Sequence, residues 1–133
     1  MIKKIVLENA IHAIYIPENL EIRQGVEFIT DARDEFQIGL IGREEGERVP
    51  LHKHLGQRRV LSGTSECLYV REGICSVTIQ SLDGKESIDI LCHKGDFLLL
   101  LRGSHSVHFI ENTSLIEIKQ GPFSALKDKE LID

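Results

Sequence analysis

Gly73, Gly84 and Gly95 fall eleven residues apart, and Gly103 follows eight later. Between these glycines lie Ile74 to Ile79, Ser87 to Leu91 and Asp96 to Leu101, each about one β-strand long. Asp83-Gly84 is a short-turn pair of the kind that closes a hairpin. No stretch in the middle of the chain keeps a helical period over three turns. Strands of this length at this spacing predict an all-β sandwich or barrel.

The rest of the chain fits the same architecture. Residues Met1 to Ile29 predict two or three short strands, broken at Pro17-Glu18-Asn19 and at Gly25. Asp31 to Glu35 is a charged loop, Phe36 to Ile41 a predicted strand, and Arg43 to Glu47 a turn. Val49 to His54 and Glu66 to Val70 are predicted strands, with a longer turn, Leu55 to Ser65, between them. Thr113 to Gln120 is the expected last strand, ended by Gly121-Pro122, and Ser124 to Asp133 is a short charged tail. With 133 residues and no linker-like composition, a single domain spanning 1–133 is expected.

Charge and cysteine usage narrow the functional classes. A formal charge of −5 argues against a general nucleic-acid binder, which needs a basic excess. The opening MIKKIVLENAIHAIYIP is broken by Glu8 and Asn9 and has no small-residue cleavage site, so it reads as a strand rather than a leader. No apolar run has the length of a membrane span. Cys67, Cys75 and Cys92 are odd in number and lack CxxC spacing, which predicts free thiols packed in strands. A cytoplasmic protein without membrane or nucleic-acid partners is expected.

The chemistry concentrates in Gly46 to Gly73, GERVPLHKHLGQRRVLSGTSECLYVREG. On a strand, His52 and His54 point to one side and Lys53 to the other. Their imidazoles, roughly 7 Å apart by strand rise, can converge on one metal ion. Glu66 alternates with Leu68 and Val70, so it should face the apolar interior, with Cys67, Tyr69 and Arg71 facing out. A carboxylate on an inward face is costly unless it is paired or bound to metal. Two surface histidines and a structural ion pair would account for the same residues. The convergence of two imidazoles and a carboxylate points to a divalent transition metal.

A further histidine comes from His105 or His108. Strand parity makes the two exclusive: His105 shares a face with Val107 and Phe109, His108 with Ser106 and Ile110. Val107 and Phe109 form the better core face, which favours His105. Arg48, Lys53, Arg58 and Arg59 make this region basic within an acidic protein. They read either as solvated turn residues or as a mouth that attracts an anionic small molecule. His12 and His93 receive no role.

Gly46, His52-Lys53-His54, Glu66 and Gly73 together resemble the first motif of the cupins, small β-barrels of the double-stranded β-helix (jelly-roll) type. The cupin pattern has a shorter interval between its second histidine and its glutamate, whereas eleven residues separate them here. Gly95 and Gly103 resemble part of the second motif. Thr64-Ser65-Glu66, Gly103-Ser104-His105 and Lys119-Gln120-Gly121-Pro122-Phe123 are similar to a bacterial cupin group without an assigned activity. Some of that group sit beside sugar-nucleotide or surface-polysaccharide enzymes. The resemblance implies metal ligation by His52, His54, Glu66 and His105, and pairing into a homodimer. Three nitrogens and one carboxylate suit Fe, Mn, Ni, Co or Zn with positions open to a ligand. The expected function is that of a mononuclear-metal isomerase or oxygenase acting on a small oxygenated molecule, sugar-like or a carboxylate compound. A non-catalytic binding or sensing module, and a dimeric structural protein with a vestigial site, are the alternatives.

Overall fold

Lys3–Leu7 (β1) and Ala10–Ile16 (β2) open the chain as a hairpin whose two-residue turn, Glu8-Asn9, is left-handed at both positions. A second, smaller hairpin follows, Gly25–Phe28 (β3) with Gly39–Gly42 (β4). The remaining strands are Glu66–Glu72 (β5), Ile74–Gln80 (β6), Ser87–His93 (β7), Phe97–Leu100 (β8), Ser104–Phe109 (β9) and Ser114–Lys119 (β10). The computed structural model describes residues 1–132. Every pairing in it is antiparallel. No helix occurs among the described residues, and so none is long and apolar enough to cross a membrane.

The strands form a five-stranded sheet, β1-β2-β8-β5-β10, a three-stranded sheet, β7-β6-β9, and the separate β3-β4 pair. One core lies between the two larger sheets. Ile5, Ala13, Leu68, Val70, Leu98 and Leu100 enter it from the first sheet, and Cys75, Val77, Ile79 and Cys92 from the second. A second core covers the opposite face of the five-stranded sheet, where Ile14, Ile16, Cys67 and Leu99 meet Leu20, Ile29, Phe36, Ile38 and Leu40. The central strand β8 is therefore buried on both faces. That is why Phe97 to Leu101 is an unbroken apolar run instead of an alternation. The molecule is all-β, with face-to-face sheets of the sandwich or barrel kind.

Two local devices fix the frame. Gly73 joins β5 to β6 at φ 89°, and a Cβ there would collide with the Asn112 carbonyl oxygen, so only glycine fits the turn. Asp96, buried before β8, accepts hydrogen bonds of 2.8 Å each from the Tyr15 hydroxyl and from the backbone N–H groups of Glu18 and His93. It ties β2, β7 and β8 together at one end. Cys67, Cys75 and Cys92 are free and buried, and burial pushes the Cys92 thiol up to about 12, which keeps it protonated.

Two expected strands differ. Phe36 to Ile38 is not part of β4, because Phe36 and Ile38 turn into the second core while side chains of Asp31, Asp34 and Gln37 hold 31–37 as a turn. Val49 to His54 is not a strand at all. After the expected turn at 44–47, residues 48–64 form a strap with no ladder partner, and Leu51 is 104% exposed. Pro50 removes a ladder donor, and residues 48–61 carry four basic side chains and no acidic one, which favours a solvated backbone.

Candidate metal and ligand site

Glu66 opens β5, with Leu100 of β8 on one side and Lys119 of β10 on the other. Leu68 and Val70 enter the inter-sheet core from the same face, so Glu66 points inward at the end of the sandwich. His105 enters from the opposite sheet, where it sits across from the fully buried Ile79. The two side chains meet between the sheets, His105 Nε2 lying 2.7 Å from Glu66 Oε1. His108 is across from Ser76 and exposed on the outer face. Tyr69, on the outer face of β5, stacks on Phe97 with ring centroids 4.6 Å apart.

Two residues that the sequence pattern does not single out complete this cluster. β10 runs Leu115, Glu117 and Lys119 along its inner face, which brings the Glu117 and Lys119 side chains to the same side as Glu66. Ile116 and Ile118 face outward and are about half exposed. Hydrophobic alternation alone would turn this strand the other way, with the isoleucines in. The register to β5, set by Leu115 opposite Val70, decides against it. A strand that exposes two isoleucines to bring in a glutamate and a lysine breaks the usual pattern, as functional sites do.

The cluster's electrostatics are set by short hydrogen bonds. The bond from His105, followed by the one from Glu117, holds the Glu66 carboxyl down at about 2 against the opposing effect of burial. The same contact with Glu66 raises Glu117 above the usual carboxylate range. Because the folded value of Glu66 lies below its unfolded value near 4.5, its contribution to stability is complete above that value. It is lost as pH falls from 4.5 toward 2. In metal-free protein the loss is on the order of 2 kcal/mol, after discounting for solvent screening of the half-buried pair. Denaturant titrations between pH 6 and pH 2.5 should show a smaller fall for Glu66→Gln, which takes up no proton at this position, than for the wild type. Parallel curves for the two proteins would show that this bond contributes nothing.

His52 and His54 lie on the strap. Their rings are 5.3 Å apart at an interplanar angle of 69°, so the pair converges without a strand to align it. His52 Nδ1–H donates to the Pro50 carbonyl at 2.8 Å, which leaves Nε2 free with its lone pair, the tautomer that a metal ligand requires. The strap is fastened at its C-terminal end. Glu35 accepts from Ser62 N–H and Oγ–H and from Gly63 N–H, at 2.7, 2.8 and 3.3 Å. Ser65 N–H donates to the Gln120 side chain at 2.7 Å. The structure thus joins the four candidate ligands as two pairs, His52 with His54 and Glu66 with His105. Among the described residues, no group of three or more His, Cys, Asp or Glu side chains is arranged to hold a metal.

Compared with protein-family models, curated proteins and solved structures, the chain matches none of them.

Proposed function

We propose that the chain is a single cupin-type double-stranded β-helix domain that uses His52, His54, Glu66 and His105 to hold one divalent transition metal. The metal is one of Fe, Mn, Ni, Co or Zn, and the domain acts on a small oxygenated molecule as an isomerase or oxygenase. The observation that carries this reading is the pair of preorganised donor sets. One is fixed between the sheets, and the other is displayed with a free Nε2 on a strap clasped next to Glu66. Eleven residues separate His54 from Glu66, a contour of up to about 40 Å, so the strap is long enough to fold back over the opening.

The donor set fits such an ion. Glu66 and His105 share a proton at 2.7 Å, and a cation would take that proton's place. When bound, the metal supplies Lewis acidity toward an oxygen-bearing ligand or, if it is iron, a site for O₂. The chain's own residues do the rest. Closure of the strap brings in the two imidazoles, places Leu51 and Leu55 against the opening and excludes water. Glu117, whose carboxyl is raised by its neighbour Glu66, places a second titratable group beside the ligand. A binding or sensing module is the second reading, supported by the strap itself, since a segment that closes on a ligand reports its presence.

Lys53, Arg58 and Arg59 make the strap a tryptic target. Limited digestion of metal-free protein should cut there first, and Mn(II) or Fe(II) should slow the cleavage by about ten-fold or more as the closed form is populated. Equal cleavage rates with and without either ion would remove the proposed closure.

A further inference from the structure

Lys119 is the cation of the inner cluster, and its side chain is only 21% exposed. Its neighbour across the β5 ladder, Glu66, is already engaged by His105. The counter-charge that Lys119 holds comes from elsewhere. Asp128 Oδ2 lies 2.8 Å from its Nζ, and the Phe123 ring centroid 4.9 Å away. Both belong to the segment after the last strand. That segment packs little of its apolar surface: Leu126, Leu131 and Ile132 are all exposed. Among the described residues, the Lys119–Asp128 ion pair is the one hydrogen bond between residues 121–132 and the sandwich.

Between this segment and the fastened end of the strap opens a cleft of about 360 Å³, of a size for a small molecule. Its lining includes Thr64, Gln120, Ser124, Lys127 and Asp128, that is, hydroxyls, an amide and a second cation, with Asp128 on the wall. An aspartate brought in on a loosely packed segment to neutralise an inward lysine occupies the place where a ligand's own anionic group would sit.

We propose that Lys119 is the anion-binding residue of this site. It takes the carboxylate or phosphate of a small-molecule ligand in the cleft, and Asp128 is the tethered anion which that ligand displaces. The proposal rests on the small-molecule reading of the site given above, but not on the metal. Displacement breaks the Asp128 contact to Lys119 and lets Lys127, already on the cleft wall, make a second contact to the anion. A tethered competitor lowers the apparent affinity of the ligand, so a weak anion binds only when it also fills the cleft.

The test uses metal-free, full-length protein at constant ionic strength. Inorganic phosphate and malonate serve as parallel probes, followed by amide chemical shifts of β10 and of residues 121–132. Asp128→Asn should bind one or both probes about five-fold more tightly than the wild type, the gain expected from removing one partly exposed ion-pair competitor. Lys119→Gln should lose the binding and Lys119→Arg should retain it, which separates loss of charge from loss of fold. Preference for phosphate or for malonate identifies the anionic group. Equal affinity in Asp128→Asn and wild type, or binding that survives in Lys119→Gln, would overturn the assignment. A protein with this anion pattern that takes up no metal keeps Lys119 in its role and removes only the metal reading. A protein that takes up metal and lacks the anion pattern does the reverse.

Discussion

Protein purified without added metal is expected to carry about one equivalent of a divalent transition metal per chain, and His52→Ala and His105→Ala close to none. His105→Ala removes the donor that faces Glu66 at 2.7 Å and leaves that carboxylate with Glu117 and Lys119 alone, a set without an imidazole. His52→Ala removes the imidazole whose Nε2 is left free by its bond to Pro50. Loss of an orienting partner alone typically weakens metal binding by about 10–100-fold, so loss of a ligand should empty the site at ordinary concentrations. His108→Ala is the control. It lies across from Ser76 on the outer face and should keep the wild-type content. Metal that survives His105→Ala but not His108→Ala would exchange the roles of the two histidines. An absence of metal from every form, even after titration with Fe(II), Mn(II) and Zn(II), would sink the metal site altogether.

Leu98→Ala is expected to cost about 2–5 kcal/mol of stability. Leu98 is 1% exposed and lies in the middle of the inter-sheet core, on the middle strand of the five, with a neighbour on each side and a packed layer on each face. Its partners across the ladders are Tyr15 and Leu68. A cavity there cannot collapse without moving both sheets, so the cost falls in the upper half of the range. For a chain of this length the midpoint of thermal unfolding should drop by roughly 10 °C or more. Leu126→Ala, at a side chain 94% exposed, should stay within about 0.5 kcal/mol. Similar midpoints for the two variants would mean that β8 is not the centre of the folding unit.

Much of this architecture is legible in the sequence because it rests on local chemistry. The glycine spacing marks real turns. Gly73, Gly84, Gly95 and Gly103 all have positive φ, and each separates two strands. The inward direction of Glu66 follows from its alternation with Leu68 and Val70, and that of His105 from Val107, whereas Phe109, expected on the same core face, is 54% exposed. Elsewhere, non-local terms decide. The orientation of β10 depends on its register to β5 and runs against its own hydrophobic pattern, so Glu117 and Lys119 cannot be placed from the strand alone. The HxH stretch has the parity of a strand but lacks a ladder partner, and a strand exists only where a neighbour accepts its hydrogen bonds. Phe36 and Ile38 likewise look like strand residues until the outer face of the five-stranded sheet claims them for a second core.

The strap's single fastening has a consequence for how such a molecule can be altered. Glu35 and Gln120 grip only residues 62–65, and nothing in the sandwich depends on the length of chain that leads to them. The entropic cost of a longer loop grows only with the logarithm of its length, about 0.6 kcal/mol for each doubling. The stretch between His54 and Ser62, residues 55–61, therefore behaves as an interchangeable cassette. Residues can be inserted, removed or replaced there to reshape the covering of the opening while the scaffold that carries Glu66, His105 and Lys119 stays the same.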